Sequence, residues 1–432
     1  MLIININTYY SMKLSNKSLT LMSFFTDNNF IIHSHQTRKT QNTITEIYND
    51  ILNAYKYIIG LKKIYGNNLY NISIKQIQSA TQIKKPKGFN SSSFPEEIRN
   101  HIYKRTTYEL TYTFSLFEKE IRLFFILETP NVEHEMKVYN KYVDSIVMWL
   151  YILNKYASKF CAKQLDIYLY FTSLSKYLPS TDANVLDENH ANTAFTTTCP
   201  RESEIVIFRK EEWFKVLIHE TFHNFGLDFS GMNTDKCTSD MLNIFPVASE
   251  VNLYESYAEF WAEIINALFC SFFKLKNKNN VEEFLAYSEY FINLERTHSF
   301  FQLVKTLHYM GLKYEFLFKK DKTNKLRRET LYKEKTSILA YYIIKTILMN
   351  NYQGFLDWCQ TNNYELYDFK KTQTNIDKFC LFIKKNYKSN EMLDNVERME
   401  HFFIANKNNS REKKEKYNFI MNNMRMSICE LG

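Results

Sequence analysis

Glycine and proline are scarce in this chain of 432 residues, at 8 and 6. So little punctuation excludes collagen-like and turn-rich β-sandwich architectures and favours helices and long segments. Long apolar runs are missing too. None approaches the ~20 residues needed to span a bilayer. The longest, residues 338–349, is interrupted by Lys345 and reads as a buried helix. Residues 1–20 lack the apolar core of a signal peptide. The seven cysteines are odd in number and widely spaced, with no CxxC. That pattern predicts reduced thiols rather than a disulfide framework. Together these absences predict a soluble, intracellular, cytoplasmic protein that is not secreted and has no membrane partner.

Nor is there a strong charge of one sign. The net charge of +8 is modest for the length. Its excess gathers in residues 318–328 and 410–416, which read as solvated faces. No basic stripe with interleaved aromatics and no nucleic-acid module occurs, which argues against a nucleic-acid partner. What is present is apolar residues, at 45% enough to bury a sizeable core.

The chain divides into a polar N-terminal region (1–95), a denser core (96–312) and a helical C-terminal region (313–432). A helix is expected over 44–64, and residues 84–93 read as a linker or exposed loop. Alternating residues at 108–114 and 120–128 predict a hairpin. Val138, Tyr142, Ile146, Leu150 and Leu153 keep helical spacing. Strands are expected at 165–171 and 204–208, with an irregular loop over 176–200 between them. The second strand feeds a helix over 210–225, with Gly226 at its C-terminal end. Another helix is expected over 252–273, then mostly helix, with a seam at 318–334. The fold class is α+β: a small mixed sheet packed on the 210–225 helix, then a mostly helical C-terminal part.

That helix carries His219-Glu220-Thr-Phe-His223. Histidines at i and i+4 share a helix face, so both imidazoles can reach one zinc ion. Glu220 stands beside them as a general base for a water acidified by the metal. A zinc site needs a third protein ligand. Downstream, Tyr254-Glu-Ser-Tyr-Ala-Glu-Phe-Trp-Ala-Glu263 sets Glu255, Glu259 and Glu263 along one face of a helix. Their apolar neighbours are unsuited to a solvated stripe, so the acids need partners.

HExxH followed by Glu-x-x-Ala-Glu resembles the gluzincin group of zinc metallopeptidases. The resemblance implies His219, His223 and Glu255 as zinc ligands, Ala258 as a small packing residue and Glu259 as the group orienting a ligand histidine. One turn later, Glu259-Phe-Trp-Ala262-Glu263 resembles the matching helix of the anthrax lethal factor group, with Glu259 as ligand. Periodicity leaves both registers open. The order of elements is similar to the upper subdomain of zincins, which implies that 204–208 is the sheet edge for an extended substrate and that 192–199 lines the cleft or forms a surface loop. Residues 209–216 and 225–229 resemble HExxH proteins of large eukaryotic DNA viruses, a group that implies no substrate. Metzincins would need a ligand at position 229, which is Phe229. Asp228 is one residue early and is expected to form local hydrogen bonds. Tyr254, Tyr257 and His308 are candidate oxyanion donors, and His134 is expected to be structural or exposed. The expected activity is zinc-dependent hydrolysis of peptide bonds in a peptide or protein substrate. The alternative is a catalytically silent zincin-fold component, for example of a virus particle. Glu220 argues against that alternative, because a purely structural site needs no base.

Overall fold

The computed structural model describes residues 13–180, 185–408 and 414–432. Parts of three expectations lie outside these residues: 1–12 of the leader segment, 181–184 of the irregular loop and 410–413 of the second basic run.

The fold is α+β, with one six-stranded mixed sheet and a mostly helical C-terminal part. The strands are β1 (Asn71–Gln76), β2 (Tyr108–Leu116), β3 (Lys119–Leu127), β4 (Gln164–Phe171), β5 (Ala194–Thr196) and β6 (Glu202–Ile207). Their order is β1-β2-β3-β4-β6-β5. Strands β3, β4 and β6 run parallel, and the remaining pairings are antiparallel. The predicted hairpin is β2–β3, paired from Tyr108↔Leu127 to Leu116↔Lys119.

Alternation along β3 explains how the sheet is covered. Ile121, Leu123, Phe125 and Leu127 enter the main core, while Phe124 and Ile126 enter a smaller cluster on the opposite face. The helix Met136–Tyr156 and the motif helix Trp213–Asn224 cover the main face. Ile83, Phe89 and Phe94, with the helix Glu96–Arg105, cover the other. Residues 84–93 are therefore no free linker, because Phe89, with the flanking Ile83 and Phe94, shields a sheet face that would otherwise be wet. The main core runs without a break from Leu21 to Leu431, so the three sequence regions share it. The helix Arg38–Tyr65, for instance, packs on Met136–Tyr156.

Three other expectations are corrected. Strand β6 is not the sheet edge, because β5 pairs outside it through Ala194↔Ile207 and Thr196↔Ile205. The seam at 318–334 contains a helix, Lys322–Leu331, whose Asp321 cap accepts from Asn324 N. The cysteines are not all reduced: Cys161 pairs with Cys199 and Cys237 with Cys380. Cys270, Cys359 and Cys429 are free and buried. Among the described residues, no helix is long and apolar enough to cross a membrane.

The last described segment threads back through the centre. Arg425 and Ser427 are fully buried. The Glu295 carboxylate accepts from the backbone N–H of Ile428 and Cys429, at 2.9 Å each. The same segment fixes the start of the motif helix. Glu212, its N-terminal flanking residue, has φ +60°, a costly conformation for a residue with a side chain. Its N–H donates to Glu430 Oε1 at 2.8 Å, and its carboxylate accepts from Ser427 N at 2.5 Å.

Candidate metal centre

Every residue of the motif helix is buried. Trp149 Nε1 donates to Thr221 Oγ1 at 2.8 Å and holds the helix against its neighbour. The helix ends as glycine permits: Gly226 adopts φ +65°, and Leu227 N returns to Phe222 O at 2.8 Å. A Cβ on Gly226 would also stand 3.3 Å from Cys199 Cβ, a tight contact, so a larger residue is disfavoured on both counts.

The helix Leu253–Lys274 packs along the motif helix with Ala258 fully buried. This pairing brings three donor atoms together. His219 Nε2 lies 3.0 Å from Glu255 Oε2 and 3.1 Å from His223 Nε2, which is 3.4 Å from Glu255 Oε2. Among the described residues, His219, His223 and Glu255 are the one group of three or more such side chains arranged to hold a metal ion. Glu259 lies on the far side of His219, its Oε2 2.9 Å from Nδ1 and its Oε1 accepting from Lys215 Nζ at 2.6 Å. Glu263 is a turn further away and pairs with Lys345 at 2.6 Å. The fold thus adopts the register with Glu255 beside both histidines and Glu259 behind one of them.

Asp228 does more than bond locally. Its Oδ1 accepts from Ser230, while Oδ2 contacts His223 Nδ1. Each histidine therefore has a carboxylate on its outer nitrogen, the usual device for fixing ring orientation and tautomer. The turn at Gly226 brings Asp228 back to the helix.

Burial works against a proton on His219, yet Glu255 and Glu259 raise its pKa to about 9. Burial opposes His223 as well, but Asp228 and Glu255 raise it well above the usual value. For Glu255, burial is outweighed by His223 and His219, which hold its carboxyl well below the usual range. Burial raises Glu220, and the two histidines partly offset this. The surroundings thus favour positive charge at the point where the three donor atoms meet.

Glu220, His223, Glu255 and Tyr341 line a cavity of about 230 Å³. Asn192, Ala194, Phe195 and Thr196 form one wall, so the segment 192–199 does reach this cleft. Tyr254 is half-buried, its ring 5.8 Å from that of His223. Tyr257 is not at the cleft. Two residues beyond Glu255, it leaves the opposite helix face, and its hydroxyl donates to Tyr367 O at 3.0 Å. His308 is exposed against Phe403, and His134 is exposed as expected. The tyrosine that meets the cluster is Tyr341, which donates to Glu255 Oε2 at 3.1 Å. It sits on a π-helical turn, Leu339–Ile344, a local widening frequent at functional sites. The sequence offered one signal for it: Tyr341, Tyr342 and Lys345 are polar groups in an apolar run and need partners there.

Compared with family models, with curated proteins and with solved structures, the chain matches none.

Proposed function

We propose that the chain is a zinc-dependent metallopeptidase. The observation that carries this reading is the convergence of His219 Nε2, His223 Nε2 and Glu255 Oε2 at the wall of a cavity that Glu220 also lines. The donor set fits the metal. Two imidazoles and one carboxylate suit zinc with one position left open. Donors bound tetrahedrally at ~2.0–2.1 Å lie about 3.3 Å apart, close to the 3.0, 3.1 and 3.4 Å seen here.

His219, His223 and Glu255 would hold the zinc, which would supply Lewis acidity toward water and the scissile carbonyl. Glu220 is the general base. Its carboxylate takes a proton from the attacking water and hands it to the departing amine, and its raised pKa suits both steps. The Tyr341 hydroxyl, which donates to Glu255 Oε2, would turn to stabilise negative charge developing on the carbonyl oxygen. Strand β5 would receive an extended peptide by strand addition, with Ala194 and Thr196 on the cavity wall.

Metal analysis together with a peptide library tests the reading. The wild type should hold about one zinc per chain, and His219→Ala should lose it. Glu220→Gln should keep the zinc and lower cleavage by about 10²–10⁴-fold. Wild-type protein that holds no zinc overturns the proposal. Protein that holds zinc but cleaves nothing leaves a zinc-binding component without catalysis.

A further inference from the structure

The cleft contains an acid that the proposed chemistry does not use. Glu188 opens the short helix Glu188–Ala191 that leads into β5, and it lines the same cavity as Glu220 and Glu255. Its carboxylate is half-buried and has no ion pair or hydrogen bond among the described residues. Two neighbouring basic side chains, Arg209 and His190, are engaged elsewhere. Arg209 donates through Nη2 to Asn189 O at 2.7 Å and through Nε to Asn192 O at 3.3 Å. His190 pairs with Asp187 at 2.7 Å. The remaining wall is mainly hydroxyl and amide groups, from Ser92, Ser93, Asn192 and Thr196, rather than aliphatic side chains. Some of these groups already have partners. Thr196 Oγ1 donates to Glu204 O at 2.7 Å, and Asn192 Oδ1 accepts from Thr336 at 2.8 Å. Such a wall does not reward an aliphatic side chain, which gains most from apolar burial. An unpaired carboxylate held in a concave site attracts a cation.

We propose that Glu188 makes this cleft a subsite for a cationic side chain, the ammonium of lysine or the guanidinium of arginine, on a peptide bound at the metal centre. The inference rests on the metallopeptidase reading for the location of the scissile bond. It goes beyond that reading by naming the substrate class and the residue that selects it. Glu220 and Glu255 are committed to the histidines and the proton transfer, which leaves Glu188 as the group free to discriminate. Ser92 and Ser93 line the same cavity and would offer hydroxyl oxygens to a guanidinium.

Binding, rather than turnover, tests it. Zinc content is measured first. The zinc-loaded protein is then titrated with Nα-acetyl-lysine hydroxamate and with Nα-acetyl-norleucine hydroxamate, which differ mainly in the terminal amine. The wild type should prefer the lysine probe by about five- to tenfold at low salt, and the preference should shrink as ionic strength rises. Glu188→Gln should erase the preference. Glu188→Lys should reverse it, so that Nα-acetyl-glutamate hydroxamate binds better than the lysine probe. Equal binding of lysine and norleucine probes by the zinc-loaded wild type overturns the subsite and leaves the metal centre standing, as does a preference that survives in Glu188→Gln. Protein without zinc overturns both. If the variants fail to fold, the wild-type salt series decides alone: a lysine preference that salt does not weaken overturns the inference.

Discussion

The two sides of the motif helix both bury charge, and they balance it differently. On the inner side, three lysine–glutamate pairs lie at 2.6 Å each: Lys176–Glu212, Lys215–Glu259 and Lys345–Glu263. Each of these three carboxylates has an ammonium from the chain itself, although for Glu263 burial, with Glu295 and Glu259 close by, outweighs Lys345 and raises its pKa to about 8. Burial alone would raise Glu212, but Lys176, Lys215 and Arg425 hold it down to about 2. On the cleft side, among the described residues, neither Glu255 nor Glu220 forms an ion pair with lysine or arginine, and the cations at Glu255 are imidazoles that can give up their protons. A third arrangement lies nearby at Glu334. It has neither lysine nor histidine, and burial raises its pKa to about 7 although Ser249, Tyr332 and Leu339 N donate to it. These acids thus differ in their neighbours: ammonium groups at Glu212, Glu259 and Glu263, neutral donors at Glu334 and imidazoles at Glu255. Under the metallopeptidase proposal, an external cation would complete the balance on the cleft side.

Breaking the inner side should have the largest effect. Lys215→Met strands Glu259 and should lower stability by about 3–5 kcal/mol in chemical denaturation. Replacing the more distant pair as a unit, Lys345→Met with Glu263→Leu, should stay within ~1 kcal/mol of the wild type, since apolar residues of similar volume can replace a buried ion pair and Ser299, which bonds to both partners, keeps its bond to Glu295 O. A large loss in that double variant would show that these pairs do more than neutralise one another.

Next comes the cleft side. Asp228→Asn removes the carboxylate from His223 Nδ1 and should weaken zinc affinity by about 10–100-fold in competition with a chelator. Unchanged affinity would mean that Asp228 only shapes the helix end.

Glu334 tests the protonated arrangement. Its folded pKa, about 7, lies above the ordinary value of 4.5. The folded state therefore binds the proton more tightly, and this contribution is fully present below pH 4.5, falls as pH rises to about 7 and is flat above that. Glu334→Gln should remove this slope, worth about 3 kcal/mol, from stability measured between those pH values. An unchanged slope would assign the pH dependence to other groups.

The remaining test is at Tyr341. Tyr341→Phe should retain zinc and lower kcat by about 10²–10³-fold with little change in KM. A loss of zinc instead would make its bond to Glu255 a positioning contact.

The elements with strong periodicity were legible in the sequence to within a few residues, among them the β2–β3 hairpin, β4 and the helices at 136–156, 213–224 and 253–274. Strand β1 was not, because all six of its residues are exposed and it has no buried face to impose alternation. Strand β5 is three residues long, and its antiparallel partner follows six residues later. In the site, helical spacing alone brought His219, Glu220 and His223 together. Choosing between Glu255 and Glu259 required the rotation of one helix against another, which spacing cannot supply. Tyr341 and Glu188 reach the cleft from 86 and 67 residues away from Glu255, through chain paths that no local pattern records. The cysteine pairs were missed for the same reason, with partners 38 and 143 residues apart.

The segment from Met424 to Leu431 has a consequence for the order of events during synthesis. Glu295 finds its partners only at Ser427, Ile428 and Cys429, and Glu212 accepts from Ser427 to start the motif helix in its left-handed turn. A ribosome must therefore polymerise more than 200 residues beyond the HExxH run, and move them out of its exit tunnel, before that helix acquires its final support. The donor atoms of His219, His223 and Glu255 would therefore reach their final arrangement only once residues 424–431 have emerged.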